Sequence, residues 1–321
     1  MGYLVIYLFM TQTGFTAQSQ EISHLFDALD YFYPGKSMDV DLGERIRALE
    51  EVFSQFEVGS KSFATFIDGL VKSSVWQSWD YPDNPYRDLC LNLSNEVDDL
   101  NDKMITEPAY HSRRHFQDVC LSLTMLLMQD HTLLPSSHQH VKWHLDLESR
   151  WILLFCAIGH DFGHDGSTNQ SPFELEKASI QRLGKFLLAQ GCLPEFIQGF
   201  MRKVESIILS TDPDHYTTLC DQLRVIDQND DPVLSMSGLL VESDLLASIL
   251  PKRGMQLSMR LGQEWSSSHP NLAKIVSSAN GRLTFLNKLT FFSLQARLLG
   301  LCDILTCERS NLKSALESHR E

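Results

Sequence analysis

The stretch WILLFCAIGHDFGHDG (151–166) joins an apolar run to two His-Asp pairs, and it determines how the rest of the chain is interpreted. The apolar run predicts a buried helix, and His160, Asp161, His164 and Asp165 follow it directly. Burying imidazole and carboxylate groups costs free energy unless they are paired or bound to a metal ion. The stretch therefore predicts either an exposed helix end or a coordinated ion.

Helical spacing recurs along the 321-residue chain, whereas strand signals are scarce. Apolar residues recur three and four positions apart in the windows 25–32, 44–56, 115–129, 147–160 and 296–307. Clusters of Pro, Gly, Asn and Ser separate these windows, as is typical of turns. We therefore predict an all-α fold, a compact multi-helix bundle. Residues 1–100 form its helical N-terminal extension, and residues 101–321 carry the polar groups of interest.

Composition limits the class of protein and its partners. Hydrophobic content of 43% and charged content of 21% are ordinary for a soluble globular protein. The formal net charge of −14 argues against nucleic acid as a partner, because phosphate-backbone binding needs clustered Lys and Arg. The charge leaves open a phosphate substrate that is held by metal ions.

Two further features bear on location. The seven cysteines are scattered without a CxxC pair, which predicts reduced core thiols and a cytoplasmic location. The N-terminal GYLVIYLFM (2–10) is too short to span a bilayer and lacks the basic start of a signal peptide. We expect this segment to pack on the domain or on a partner, with a secretory signal as the alternative, and we expect no stable membrane span.

The segment AYHSRRHFQDV (109–119) carries two histidines at helical spacing. His111 and His115 are four residues apart and share a helix face, and Asp118 follows three residues later on that side. Such a pair alone is often surface decoration, so this segment alone does not establish a metal site.

Two isolated acidic groups follow apolar runs later in the chain. ILSTDPDH (208–215) ends its run in Thr211 and Asp212, and LLVESDLLASILP (239–251) places Asp244 among leucines. Each alone is better explained as a helix cap or a surface group. Together with the histidines and the His-Asp pairs, they predict a cage of metal ligands. Imidazole nitrogen with carboxylate oxygen suits Zn²⁺, Mn²⁺ or Fe, and an Asp can bridge to Mg²⁺.

The order of these motifs resembles the catalytic domain of the class I cyclic nucleotide phosphodiesterases, within the HD-type metal-dependent phosphohydrolase superfamily. The pattern is YHxxxHxxDV, then HDxxHxGxxNQ, then an apolar run ending in TD, then an apolar run with a solitary Asp. The resemblance covers roughly residues 105–300 and implies the HD-type helical bundle of that family.

The resemblance also implies roles for the matching residues. The implied metal ligands are His115, His160, Asp161 and Asp244. Asp161 would bridge two divalent ions, one Zn²⁺ (or Mn²⁺ or Fe) and one Mg²⁺ (or Mn²⁺), and His111 would be the general acid. The further positions expected beside the ligands or the substrate are Tyr110, Asp118, His164, Asn169, Glu176, Thr211, Asp212, Arg282 and Phe285.

Among these, Glu176 matches a glutamate that hydrogen-bonds His111, and Phe285 matches the phenylalanine that clamps the base. Asp118 or Glu176 would fix the orientation of an imidazole.

The implied chemistry is phosphodiester hydrolysis. Two ions about 3.5–4 Å apart can hold a hydroxide, neutralise phosphoryl oxygens and lower the pKa of water. Protonated His111 can then donate to the departing 3′-oxygen. We predict an enzyme that hydrolyses a 3′,5′-cyclic nucleotide to the 5′-monophosphate through a metal-bridging hydroxide held by Asp161. Its partners would be a small phosphoester substrate and, as a further option, a second copy of the chain.

Some positions depart from the family pattern. Arg282 stands where the family places a purine-reading glutamine, three residues before Phe285. An arginine only donates hydrogen bonds, so it favours an anionic or carbonyl-rich group. Gln295 lies too far along the chain to take that place if Phe285 is aligned correctly. Ser112 stands where the family has an Asn, and Arg113 and Arg114, which follow it, either meet a phosphate or form a solvated face.

These departures keep other functions open. One is an HD-type hydrolase of another phosphoester, and another is a catalytically retired domain that binds metal or ligand as a sensor. A third is a di-iron oxygenase, which would need more histidine ligands around the second iron than His164 supplies.

Overall fold

The computed structural model describes Leu29, Phe32 and residues 40–59, 62–129, 143–226 and 231–318, without the side chains of residues 58 and 59. The segment GYLVIYLFM and the helix predicted at 25–32 lie outside the described residues, apart from Leu29 and Phe32. The described helices are α1 (Leu42–Gly59), α2 (Phe63–Lys72), α3 (Ser74–Ser78), α4 (Pro85–Lys103), α5 (Arg113–Met128), α6 (Leu147–Gly159), α7 (Glu174–Ala189), α8 (Pro194–Leu209), α9 (Tyr216–Arg224), α10 (Pro232–Ile249), α11 (Pro251–Glu264), α12 (Pro270–Val276), α13 (Ala279–Lys288), α14 (Leu294–Leu299) and α15 (Leu301–Ser318).

Every regular element within these ranges is helical, which confirms the all-α prediction. Helices α5 and α6 coincide with the predicted windows 115–129 and 147–160 to within a few residues. The window 296–307 was expected to be one helix, and this expectation is wrong because the chain turns at Gly300. Gly300 has a left-handed φ of 80°, and a side chain there would collide with Arg45.

Local sequence explains where several helices begin. Asn84 caps α4 ahead of Pro85, and Asp231 caps α10 ahead of Pro232. The side chain of Asp146 caps α6 by accepting a hydrogen bond from the third residue along. Proline suits the first turn because its missing N–H has no partner there anyway.

One hydrophobic core runs through the described helices, with α5, α6 and α10 at its centre. Helix α6 is buried from Arg150 to Gly159, and α5 is buried from His115 to Met128. A helix that is apolar on all sides is stable only when it is surrounded by protein. Because the His and Asp motifs stand on these central helices or at their ends, the core fixes their positions.

Helix α4 continues through position 100, where the predicted extension meets the predicted catalytic region. Residues of the extension such as Phe53, Phe66 and Trp76 belong to the same core as α5 and α6. The division at 100/101 stays a prediction about function.

Among the described helices, α10 is long and apolar enough by composition to cross a membrane. Its window has a mean hydropathy of 1.3, and 78% of that window is buried inside the protein. The core helix of a soluble protein passes the same test, so this feature is weak evidence of a span.

All seven cysteines lie in described segments, and each has a free thiol. Burial raises the pKa of the thiols of Cys90, Cys120 and Cys156, which keeps them protonated and unreactive. These three fit the expected reduced core thiols, and the cytoplasmic location stays a prediction.

Candidate active site

Four predicted metal ligands converge from three helices. His115 lies in the first turn of α5, His160 and Asp161 follow the end of α6, and Asp244 lies within α10. His115 Nε2 is 3.2 Å from His160 Nε2, 3.4 Å from Asp161 Oδ2 and 3.2 Å from Asp244 Oδ1. His160 Nε2 is 3.1 Å from Asp161 Oδ2.

These donors fit a divalent ion. Metal–ligand bonds of ~2.0–2.2 Å place neighbouring ligand atoms ~3.0–3.4 Å apart around one ion. The donor atoms of His115, His160 and Asp161 lie close enough together to bind one metal ion. The carboxylate of Asp244 lies beside them, next to the imidazole of His115. Asp244 Oδ1 is buried without a hydrogen-bond partner among the described residues, which is costly unless a cation compensates it.

The electrostatics of the cluster also favour a cation. His160 Nδ1 donates to the carbonyl oxygen of Ala157 over 3.0 Å, so its Nε2 faces the cluster. Burial opposes a charge on His160, but Asp161 and Asp244 outweigh burial and raise its pKa to about 9. Burial alone would raise the pKa of Asp161, but His160 and His115 hold it well below its usual range. The carboxylates therefore attract positive charge to buried imidazoles.

The loop after α6 turns sharply and keeps the pair buried. The backbone N–H of Phe162 donates to the backbone carbonyl of Gly159 over 3.1 Å, and that of His164 donates to the backbone carbonyl of Asp161 over 2.9 Å. Gly163 takes a left-handed φ of 78°, which favours glycine. Because His160 is buried, the exposed helix end considered from sequence is excluded.

A second cluster forms around His111. Its Nδ1 lies 2.6 Å from Oε1 of Glu264, which is the last residue of α11. Glu264 Oε2 also accepts the backbone N–H groups of Tyr110 and His111 over 2.7 and 3.0 Å. The ring of His164 stacks on His111 with a centroid distance of 3.7 Å.

These neighbours shift the pKa values of the His111 and His164 imidazoles in opposite directions. Burial disfavours a charge on His111, but its hydrogen bond to Glu264 and the charge of Asp161 raise its pKa. Burial and the proximity of His111 lower the pKa of His164 to about 4. His111 is thus the proton-bearing ring and His164 the neutral one.

The donors of His111, His164 and Glu264 lie close enough to suggest another metal site. However, Nδ1 of His111 is already bonded to Glu264, and Nδ1 of His164 accepts the N–H of Gly166 over 3.0 Å. The cluster is therefore better suited to holding a proton.

Glu176 does not contact His111 as predicted, so that prediction is wrong. It accepts hydrogen bonds from the amide of Asn169, at 3.1 Å to the nearer carboxylate oxygen, and Glu264 holds His111 instead. Sequence gave no strong signal for Glu264, because a charged residue at the end of an amphipathic helix usually faces solvent.

Thr211 and Asp212 hold the chain behind the site. Asp212 Oδ2 accepts the N–H of Phe173 over 2.7 Å, and Thr211 Oγ1 donates to the carbonyl of Ile208 over 2.8 Å. Phe173 is the left-handed residue, with φ 63°, that precedes α7. Asp212 thus positions the end of the loop that carries Asn169, whereas Thr211 bonds back to the last turn of α8, the helix that precedes it.

Asp118 is bonded to a guanidinium rather than to an imidazole. Its Oδ2 accepts from Nε of Arg253 over 3.0 Å, and its Oδ1 accepts from Nη2 over 2.8 Å. Sequence reasoning missed Arg253, which has no motif of its own. The imidazole contact expected of Asp118 is replaced by this ion pair.

Arg282 and Phe285 do not take the places expected of them. Arg282 is 1% exposed, and its guanidinium donates to the carbonyls of Ser248 and Leu250 and to Glu308. Phe285 is 37% exposed at the surface of α13. This corrects the expectation that Arg282 lines a purine pocket, because no part of its guanidinium is open to a ligand.

Gln295, set aside from sequence, is buried instead of exposed. Its Nε2 donates to the carbonyl of Trp143 over 2.5 Å, and its Oε1 has no hydrogen-bond partner within the described ranges. With Phe285 at the surface, the alignment argument against Gln295 no longer holds.

No protein-family model matches the chain, and no curated protein matches it. Solved structures do match. The phosphodiesterase domain of the RhoPDE fusion protein from the choanoflagellate Salpingoeca rosetta is 17% identical, with a TM-score of 0.56 over 88% of this chain and 94% of that chain. The phosphodiesterase domain of Salpingoeca rosetta rhodopsin phosphodiesterase is 19% identical, with a TM-score of 0.57 over 81% and 98%. LmjPDEB1 in complex with IBMX is 16% identical, with a TM-score of 0.61 over 92% and 98%.

The chain therefore has the fold of phosphodiesterase domains along most of its length. The all-helical fold is similar to that of phosphodiesterase domains, and the His/Asp cluster lies within it. This confirms the resemblance inferred from the order of the motifs.

Proposed function

We propose that this protein is a divalent-metal phosphodiesterase whose first candidate substrate is a 3′,5′-cyclic nucleotide. The observation that carries the proposal is the convergence of His115, His160, Asp161 and Asp244, with a buried Asp244 oxygen that accepts no hydrogen bond from the described residues. The phosphodiesterase-domain fold supports the same function, and one neighbour of that fold is in complex with the small molecule IBMX.

The four residues would hold the metal ions, with Asp161 suited to bridging because a carboxylate offers two oxygens. When bound, divalent ions neutralise phosphoryl oxygens and lower the pKa of water. The buried walls of α5, α6 and α10 restrict water around the cluster, which strengthens charge interactions there.

His111 is the proposed proton donor. Because its Nδ1 is engaged by Glu264, its Nε2 holds the proton that is available to a leaving oxygen. Burial acts to raise the pKa of Glu264, but His111 and two backbone N–H groups lower it, so Glu264 stays charged. The charged Glu264 keeps the imidazolium in place.

We further propose that the protein acts in a reducing, cytoplasmic compartment, an inference that the free thiols support. A substrate other than a cyclic nucleotide, within the same phosphoester class, is the second candidate.

The test is hydrolysis by the purified protein of cyclic AMP, cyclic GMP and bis-p-nitrophenyl phosphate, with added Mn²⁺ or Mg²⁺. The His160→Ala and Asp244→Ala variants serve as inactive references. Metal content and visible absorbance are recorded on the same preparations, since absorbance from iron would favour an oxygenase.

Turnover of a cyclic nucleotide by wild type and not by either variant supports the full proposal. Cleavage of only the p-nitrophenyl ester supports the metal site and moves the substrate to another phosphoester. If metal binds and nothing is cleaved, the protein is a sensor or an oxygenase and the proposed activity is wrong.

A further inference from the structure

Helix α1 is anchored to the rest of the protein by an ionic cluster around Glu57. One carboxylate oxygen of Glu57 accepts from Arg260 of α11 over 2.8 Å and is also bonded to Arg114 of α5. The other accepts from Arg253 of α11 over 2.6 Å. Three guanidinium groups from two helices therefore meet on one carboxylate of α1.

A second carboxylate of α1, that of Glu50, also contacts α11. Glu50 accepts the backbone N–H groups of Lys252 and Arg253 over 2.7 and 3.1 Å, at the first turn of α11. A carboxylate in this position satisfies otherwise unpaired N–H groups and is favoured by the helix dipole. Helix α1 therefore fixes the start of α11 as well as the arginine side chains.

Arg253 connects Glu57 of α1 to the buried Asp118 of α5. Its Nη1 meets Glu57, while its Nε and Nη2 form the paired contact with Asp118. Arg253 is 3% exposed and Asp118 is 4% exposed. A buried charge pair of this kind is sensitive, because losing one partner leaves the other charge uncompensated.

The inner end of this chain lies beside the candidate metal centre. Asp118 stands one helical turn after His115 on α5, so the two share a face of that helix. Helix α11, which carries Arg253, begins directly after α10, which carries Asp244. Arg253 therefore joins α5, the helix of His115, to the first turn of α11, which directly follows the helix of Asp244.

We propose that docking of α1 sets the affinity of the candidate metal centre, because the contacts Glu57–Arg253–Asp118 fix His115 relative to Asp244. This inference rests on the metal site of the proposed function and adds its regulation by the N-terminal region. Coupling of this kind is reciprocal, so metal binding stabilises docked α1 to the same extent that docked α1 favours the metal.

The experiment compares the full chain with Glu57→Gln, and uses Asp80→Asn as the matched control. Asp80 is 20% exposed and pairs with Arg87, and Glu57 is 23% exposed, so the control removes a carboxylate of similar exposure that lies outside α1. Co²⁺ is the probe, because its visible spectrum reports the geometry of its ligands. We expect Glu57→Gln to weaken Co²⁺ binding ~5- to 10-fold and to alter the spectrum, near the lower end of known effects of groups behind metal ligands.

A second readout follows the coupling in the other direction. Hydrogen exchange of the α1 amides should slow when Zn²⁺ is added to wild type, and much less in Glu57→Gln. The variant Glu57→Asp keeps the charge and should recover affinity to within ~2-fold of wild type. Recovery by Asp separates the ionic contact from general loss of structure.

Equal Co²⁺ affinity and equal spectra in wild type and Glu57→Gln would overturn the inference and leave the proposed function standing. An equal loss in Asp80→Asn would overturn it as well, since the effect would then be one of general stability. Absence of Co²⁺ binding by wild type would instead remove the metal site, and the proposed function would fail with the inference.

Discussion

At Asp244, a carboxylate oxygen lies 3.2 Å from an imidazole and accepts no hydrogen bond from the described residues. The helix that carries it is buried along most of its length. A hydrogen-bonded residue or an apolar residue would give that position greater stability. The side chain is therefore better explained by binding a cation than by support of the fold.

We expect Asp244→Asn to lower Co²⁺ affinity by more than ~100-fold, the upper end of effects seen for groups behind the ligands, because it removes a ligand charge. The metal-free variant should unfold close to the wild-type temperature, since the amide keeps the shape of the side chain and His160 can stay neutral when the nearby charge is removed. Titration calorimetry and thermal unfolding measure the two effects.

The control is Asp146→Asn, in which the amide can still cap α6. It should change neither quantity. A large loss of stability in metal-free Asp244→Asn would show that the carboxylate supports the fold.

Glu264 offers a separate test at the residue scale. The Glu264→Gln variant should leave Co²⁺ affinity unchanged and lower the turnover of a cyclic nucleotide by ~10- to 100-fold, because His111 loses the group that holds its proton. Turnover of bis-p-nitrophenyl phosphate should fall much less, since p-nitrophenolate leaves without a proton.

Glu174→Gln is the matched control, because Glu174 also accepts two backbone N–H groups. It should leave the ratio of the two rates as in wild type. If Glu264→Gln lowers both rates equally, Glu264 does not act through the proton on His111.

Among the elements, the corner between α10 and α11 depends on one buried arginine. The carbonyl of Ser248 lies in the last turn of α10, where that helix offers no donor, and the carbonyl of Leu250 also accepts the N–H of Gly254 at the start of α11. Arg282 supplies N–H groups to both over 3.0 and 2.8 Å, and Glu308 compensates its charge. Arg282 thus fixes the position at which α11 leaves the helix of Asp244.

We expect Gly254→Ala to destabilise the protein by about 1–3 kcal/mol, because a Cβ at Gly254 would overlap Ser248 and the guanidinium of Arg282. Gly184→Ala is the matched control in another helix, where the described structure leaves open space around the new methyl group. It should stabilise the protein by up to about 0.5–1 kcal/mol. Urea unfolding of both variants measures the difference, and a Gly254→Ala as stable as wild type would show that the corner can relax.

Helix positions followed from sequence where apolar spacing and caps agreed, as in α5 and α6. The break at Gly300 could not be predicted from sequence, because the apolar pattern of 296–307 continues through it and glycine is tolerated within helices. Arg282 was assigned to the purine pocket by its distance from Phe285 along the chain. Only the packing of α10 against α13 shows that its hydrogen bonds are made to backbone carbonyls.

The candidate ligands were predictable because each stands in a motif where a plain helix would place an apolar residue. Glu264 and Arg253 were not, because single charged residues on an amphipathic helix have the same pattern as a solvated face. Their partners are 153 and 135 positions away along the chain. Spacing within one helix contains no information about such contacts.

Over the whole molecule, α1 is held by two kinds of contact. Val52, Phe53 and Phe56 belong to the hydrophobic core, whereas Glu57 and Glu50 lie at the ionic contact with α11. Apolar burial is insensitive to pH, and the ionic contact is not. The two contributions can therefore be separated by titration.

Acid should loosen α1 before the rest of the protein unfolds. Burial would raise the pKa of Glu57, but Arg253, Arg260 and Arg114 outweigh burial and lower it below 4.5. A carboxyl with a lowered pKa in the folded state contributes stability above its unfolded pKa and loses it as the pH falls through its folded pKa. We expect protection of the α1 amides, corrected for intrinsic exchange rates, to hold from pH 7 to about 5.5 and to decrease as the pH falls through about 4.5 and below.

The variants identify the group responsible. Glu57→Gln has no carboxyl to titrate, so its α1 protection should start lower and change little over this pH range, whereas Asp80→Asn should follow wild type. Glu50 faces backbone N–H groups of α11, and Glu57 faces the three arginines. An unchanged pH profile in Glu57→Gln would therefore assign the acid response to another titrating group such as Glu50, and would show that the arginine cluster does not hold α1.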